Sequence, residues 1–324
     1  MSNVRIAVIG ADQLDSDHHI ALNDLSARGR VSAFALDADP GEQGFDLLQT
    51  AMQSDALDAI VLAGSRVKMR DWAVFALAHG WPLYSTHAIP TSVEEMIEIR
   101  RAEQTHPNTI LQFGMTARHH ESVQAARAKR DSGEYGRLLT MRGVCGCSQS
   151  ALTDSVVFDP GPQLIDLMHV FAGPFQDITG FADLDRSATP GSETNVQATL
   201  RTHSGILASL HLSATQWRPT FRLELGFERG YMWLEGLNNQ NHNFGQEVLV
   251  YARTDGTAPR HETVDQFDQS NGARNALDAF LDRLTSSSAP ATSSSQDAFD
   301  TLNTLQRVLA ADPVIEPLEE RHVS

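Results

Sequence analysis

Apolar residues in the first third of the chain fall into short continuous runs, separated by longer stretches of helical spacing. Val4–Ile9 is a buried-strand pattern, Val31–Leu36 a second, and residues 58–63 (DAIVLA) a third. Stretches such as residues 71–79 carry apolar positions at helical intervals. Strands alternating with helices predict βαβ units and a parallel sheet. Ser92 stands three residues before Glu95, a capping box. The helix it opens holds Val93, Met96, Ile97 and Ile99 and then reaches Arg100-Arg101, which suits the dipole at its end. Residues 109–113 (TILQF) read as another strand. The pattern makes a Rossmann-like domain, drawn here as residues 1–118.

The character then changes. Strand-like segments follow at 138–144, 196–202, 205–213, 222–227, 231–235 and 247–251. In the clearest, Ile206, Ala208, Leu210 and Leu212 share one face, while Leu207, Ser209, His211 and Ser213 share the other, mostly polar one. Such alternation marks a half-buried strand of an antiparallel sheet. Leu277, Phe280, Leu281 and Leu284 mark one late helix, and Phe299, Leu302, Leu305 and Leu309 another. Residues 286–295 (SSSAPATSSS) form a flexible connection between them. Residues 119–324 are thus expected to form an α+β domain with a large, mostly antiparallel open sheet.

Composition narrows the function. The chain has 324 residues, which suggests two domains. An AVILMFWYC share of 41% with 22 glycines excludes disorder, collagen and coiled coil as descriptions of the whole. The net charge of −16 provides no field to gather nucleic acid or an anionic membrane, so neither is an expected partner. Two cysteines cannot form a disulfide framework, and a reducing compartment fits. The opening run is too short for a signal segment, and no apolar stretch approaches the roughly 20 residues that span a bilayer. A soluble, cytoplasmic protein is expected.

Several segments stand in a telling order: the opening strand to Gly10-Ala11, Asp37 ending the second strand, and residues 57–63 as the third. They are followed by Pro90-Thr91-Ser92-Val93-Glu94-Glu95, residues 114–118, and Asp131-Ser132-Gly133-Glu134-Tyr135-Gly136. Asp159-Pro160-Gly161-Pro162-Gln163-Leu164-Ile165-Asp166 closes the series. In these the chain resembles the Gfo/Idh/MocA oxidoreductases, which oxidise or reduce sugars, polyols and related compounds with NAD(P). The resemblance covers nearly the whole length. It implies NAD or NADP as cofactor, a sugar-like ligand, and a homodimer or homotetramer formed through the C-terminal sheet.

The site residues depart from that family's pattern. Its Gly-x-Gly-x-x-Gly turn admits a diphosphate to backbone N–H groups. Here the turn reads Gly10-Ala11-Asp12-Gln13-Leu14-Asp15, with aspartates at both later positions. Unit charges about 4 Å apart interact by roughly 4 kcal/mol at an effective dielectric of about 20, which argues against a conventional diphosphate seat. Asp37 is placed to bond a ribose hydroxyl, favouring NAD over NADP, or else caps the turn at Asp39-Pro40-Gly41. Where the family's Glu-Lys-Pro motif has its lysine, this chain has His87, an acid or base at neutral pH or a loop histidine without chemistry. In the family's Asp-x-Gly-x-His-x-x-Asp segment Asp159 is kept, but the histidine is Gln163, which cannot take a proton. Catalytic candidates are therefore His87, Asp159 and Gln163. Arg118 and Asp166 are candidates for binding substrate, and Arg118 could equally tie the domains together.

Three functions follow. The chain could be a divergent member that binds a sugar, polyol or related molecule, with ordinary dehydrogenase activity lost or weakened. It could be an NAD(P)-dependent dehydrogenase using His87. It could be a nicotinamide-independent isomerase or lyase acting on a hydroxy-carbonyl compound. Asp12, Asp15, Asp17, His18 and His19 match no standard metal spacing and read as a polar turn entering a helix, so no metal is expected. Cys145 and Cys147 read as small buried side chains. His119-His120 sits just past Arg118 at the start of a helix, and His169 lies three residues after Asp166 on the same helix face, where a helix-surface pair is the default. Trp217-Arg218 could stack on a sugar ring, although core or interface is the commoner fate of an aromatic.

Overall fold

In the computed structural model of the protein, the described residues are 3–54, 57–148, 156–158, 160–184, 193–237, 245–254, 261–267, 272–286 and 292–311. Two compact units emerge, residues 1–116 with 271–302, and residues 117–270 with 303–324.

The first unit is built on five parallel strands, β1 (Val4–Ile9), β2 (Val31–Leu36), β3 (Ala59–Leu62), β4 (Leu83–Ser85) and β5 (Leu111–Phe113). Their order is β2-β1-β3-β4-β5, so the chain reverses direction across the sheet between β1 and β3. Ligands in open α/β sheets bind outside the strand ends at such a switch point. The helices are α1 (Ser16–Ala27), α2 (Glu42–Gln53), α3 (Arg66–Ala78) and α4 (Val93–Thr105). The capping box is formed: Ser92 accepts from the Glu95 N–H at 3.2 Å, and the Glu95 carboxylate accepts from the Thr91 N–H at 3.0 Å. Ile6, Val8, Leu22, Leu25, Val61 and Tyr84 share a core with Ala276, Leu277, Phe280 and Leu281 of a late helix, labelled α7 below. Val31–Leu36 is a strand but not a buried one. It is the sheet's edge, and Ala33, Phe34 and Ala35 are exposed. The reason lies in α2, which turns its Phe45 onto Trp72 and Phe75 of α3 instead of covering β2.

The second unit holds an eight-stranded sheet: β6 (Leu138–Ser148), β7 (Phe175–Leu184), β8 (Glu193–Thr202), β9 (Leu207–Ser213), β10 (Thr215–Phe227), β11 (Gly230–Glu235), β12 (Glu247–Arg253) and β13 (Thr263–Phe267). The order is β13-β12-β11-β10-β6-β9-β8-β7, antiparallel throughout except for β6 beside β9. Helices α5 (Glu121–Asp131) and α6 (Gly161–Ala172) belong to this unit. α6 lies against β6 at Gly143, where an added Cβ would sit 3.0–3.1 Å from Met168 and Leu164. The alternation read in β9 is the one found: Ala208, Leu210 and Leu212 are buried and Leu207 is 50% exposed. Helices α7 (Gly272–Thr285) and α8 (Ser295–Ala310) follow. Among the described residues no helix is long and apolar enough to cross a membrane.

Candidate functional site

In the first unit the chemistry gathers where β1, β3 and β4 end. Gly10 leaves β1 with φ +72°, a left-handed conformation that glycine tolerates without strain. An added Cβ there would stand 2.4 Å from the Gly64 Cα, so these two backbones meet directly. A single 3₁₀ turn, Ala11–Gln13, brings the chain to Asp15, the residue that caps α1. The Asp15 carboxylate accepts from the His18 backbone N–H at 2.9 Å and pairs with His18 Nδ1 at 2.6 Å. The far side of that buried ring, Nε2, lies 3.0 Å from the hydroxyl of the buried Tyr84. Burial pushes the Asp15 carboxyl up, but the bonds and charge of His18 outweigh it and hold the group below its ordinary range. Asp12, by contrast, points to solvent.

His87 follows β4. Its Nε2–H donates to the Gly64 carbonyl at 2.7 Å, which fixes the tautomer and leaves Nδ1 as the lone-pair nitrogen. Nδ1 makes no hydrogen bond among the described residues. Burial lowers the pKa of His87, helped by the nearby charges of Arg66 and His18 and opposed by the Gly64 bond and Asp15. The ring is therefore neutral at pH 7, able to accept a proton at Nδ1. Asp37 is exposed on the wall of a groove of about 470 Å³ that runs along Ala38–Gly44 to Leu47.

The second unit positions its candidates differently. Arg118 donates from Nε to Asp166 at 2.8 Å and from a second nitrogen to the other carboxylate oxygen. Both side chains are buried, Asp166 completely. Gln163 accepts from the Ala117 N–H at 3.0 Å and so holds the turn that carries Arg118. Asp159 lies outside the described residues. His169 meets the Thr304 hydroxyl at 3.1 Å, and Cys145 and Cys147 are buried. Trp217 is 97% exposed, not core. Sequence reasoning missed Glu247. Its carboxylate accepts from the Ser122 N–H at 3.2 Å, at the start of α5, and lies 2.8 Å from His120 Nδ1. No local pattern signals this pair, because its members are far apart in the chain. Among the described residues no three His, Cys, Asp or Glu side chains converge as a metal site would require.

A family profile described as the GFO/IDH/MocA C-terminal domain matches residues 123–233. Inositol 2-dehydrogenase of Corynebacterium glutamicum is 25% identical over 289 residues, covering 83% of this chain and 84% of that one. UDP-N-acetylglucosamine 3-dehydrogenase from Acidithiobacillus ferrooxidans shares the fold with a TM-score of 0.76 at 16% identity, over 96% of this chain and 98% of that one. A variant of a 3-ketoreductase from Actinomadura kijaniata, in complex with TDP-benzene and NADP, gives 0.73 at 16% identity over the same shares, 96% and 98%. Residues 123–233 thus match the Gfo/Idh/MocA C-terminal domain, and the chain resembles that family beyond them.

Members of this oxidoreductase family carry a Rossmann-like sheet and a large open one, the pair of sheets seen here. In the Gfo/Idh/MocA pattern the first turn of α1 offers its N–H groups to a diphosphate. In this chain the protein's own Asp15 carboxylate takes the His18 N–H, and it stays ionised because His18 supports it. The turn in this arrangement does not fit a diphosphate. Asp37 stands exposed beside its groove.

Proposed function

We propose that the chain binds a sugar, polyol or related hydroxylated small molecule, with nicotinamide-dependent dehydrogenation lost or weakened. The observation that carries this reading is the Asp15 carboxylate bonded to the first turn of α1. Repulsion of even 2–3 kcal/mol, about half the roughly 4 kcal/mol set by a 4 Å approach, weakens a diphosphate ligand by about two orders of magnitude. The names of the relatives, dehydrogenases and a reductase of polyols and sugars, support the ligand class. Arg118 and Asp166 satisfy each other and so act as a positioning pair, while His87 keeps a lone pair for a ligand hydroxyl. Self-association through the open face of the second unit's sheet, where Leu207 and Phe181 are exposed, belongs to the same proposal.

Calorimetric titration with NAD(H) and NADP(H) tests it. The natural protein is expected to show no binding in the micromolar range. An Asp12→Gly, Asp15→Gly double variant is expected to regain it, since glycine at a helix cap costs only a few tenths of a kcal/mol relative to aspartate. Micromolar binding by the natural protein overturns the proposal.

A second reading rests on His87. A neutral imidazole with Nδ1 open can take the proton of a substrate hydroxyl, as a dehydrogenase or an isomerase requires. It predicts turnover of a polyol or keto sugar that falls at least a hundredfold in His87→Ala and declines as pH drops and the ring protonates.

A further inference from the structure

The first unit's sheet ends at β2, which among the described residues pairs with β1 alone. The ladder opens with the Val4 N–H donating to the Arg30 carbonyl at 3.0 Å, Val4 standing opposite Val31. Backbone groups alternate in direction along a strand. Ser32 and Phe34 therefore bond to β1, and Ala33 and Ala35 turn their N–H and C=O groups to the free edge. Native edge strands are usually blunted by charge, proline, a bulge or a covering helix. β2 reads VSAFAL, with no charge and no proline, in unbroken register, and α2 packs elsewhere. Phe34 is 46% exposed, with the Arg5 guanidinium 5.6 Å from its ring centre.

We propose that β2 is a self-association edge, pairing antiparallel with β2 of a second copy about a two-fold axis at Phe34. Charge selects this occupant. Arg28 and Arg30 precede the strand, and Asp37 and Asp39 follow it. Antiparallel pairing lays the basic flank of each copy along the acidic flank of the other, and the two-fold axis makes that match twice. Parallel pairing would set acid against acid. Arg28 and Arg30 also hold ion pairs to Asp24 and to Asp278 and Asp282, so the flanks steer the encounter rather than anchor it. In a chain of net charge −16, the uncharged strand between matched flanks is a place where two copies approach without strong repulsion.

Symmetry also fixes the register. Two identical edges hydrogen-bond only when opposed residues both face outward or both face inward, so the axis passes through a residue and not between two. With the axis at Phe34, Ala33 exchanges hydrogen bonds with Ala35 of the second copy. The two Phe34 rings then meet in a non-hydrogen-bonded pair, where Cα atoms lie about 4.5 Å apart. This contact is independent of the open face of the second unit's sheet.

The Cα spacing falls in the range a disulfide bridges, and the two natural cysteines are buried. Under mild oxidation a Phe34→Cys variant is expected to form a covalent dimer. An Ile20→Cys variant, exposed on α1, is the collision control and is expected to stay monomeric on a non-reducing gel. Light scattering on reduced protein supplies the second readout. Phe34→Lys, which opposes two like charges, and Ala33→Pro, which removes an outward N–H, are each expected to halve the mass of the natural protein while circular dichroism stays native. Cross-linking of Phe34→Cys no faster than of Ile20→Cys, or unchanged mass in both strand variants, overturns the proposal. So does a loss of mass confined to Leu207→Lys, which would leave the open-face association standing.

Discussion

Burying an imidazole removes the water that would stabilise its cation, and His119 shows how far this goes. Burial first, then the charges of Arg118, His120 and Arg127, bring its pKa from 6.5 down to about 4. The unfolded chain takes up this proton before the folded one does. Its contribution to stability is therefore complete above pH 6.5 and is lost as pH falls toward 4, a change on the order of 2–3 kcal/mol. Urea titrations across that window are expected to show the loss, with a shallower pH slope in His119→Gln. An unchanged slope would place the effect elsewhere, His87 being the next group lowered in the same sense. Little of this was legible in the sequence, since His119 looks like one more polar residue at a helix start. Asp15 was more legible. An aspartate entering a helix three residues before His18 suits a cap, and that is the bond found. The partnership with Tyr84, 66 positions from His18, carries no local signal.

At the scale of elements, a few long-range polar contacts decide how turns and helices meet. Arg118 lies in a 3₁₀ turn and Asp166 on α6, and their buried pair joins the two. Removing one partner strands a buried charge, so Asp166→Asn is expected to cost about 3–5 kcal/mol by denaturant titration. An Arg118→Met, Asp166→Leu pair should cost much less than the two single changes added together. Equal additive losses would mean that the two side chains act independently. β1, β3 and β5 were readable because parallel strands buried on both faces leave continuous apolar runs, whereas β4, three residues long, was not read. β2 carries the same kind of run without the burial. Its exposure depends on where α2 docks, which rests on the Phe45 contact with Trp72 and Phe75 and not on anything inside Val31–Leu36. β7 escaped notice for a related reason: Phe175–Leu184 mixes polar and apolar residues without clean alternation.

For the whole molecule, the decisive feature is that the first unit is not continuous in sequence. Leu277, Phe280 and Leu281 of α7 belong to the core built by β1, α1 and β3, and Arg30 pairs with Asp278 and Asp282 on the outside of that helix. Periodicity identified the helix but could not assign it to a core, because an amphipathic face does not name its partner. A fragment of residues 1–116 alone leaves Leu22, Leu25 and Phe280's place beside Tyr84 open to water. It is expected to be protease-sensitive, with no cooperative thermal transition, whereas protection of that fragment at native level would show α7 to be dispensable. The same discontinuity sets a clock during synthesis. At roughly 5–20 residues per second, α7 leaves the ribosome about ten to thirty seconds after β5. Through that interval the second unit's strands are being made beside an unfinished core. The nascent chain must keep its first apolar surface from the wrong neighbours until its own last third arrives.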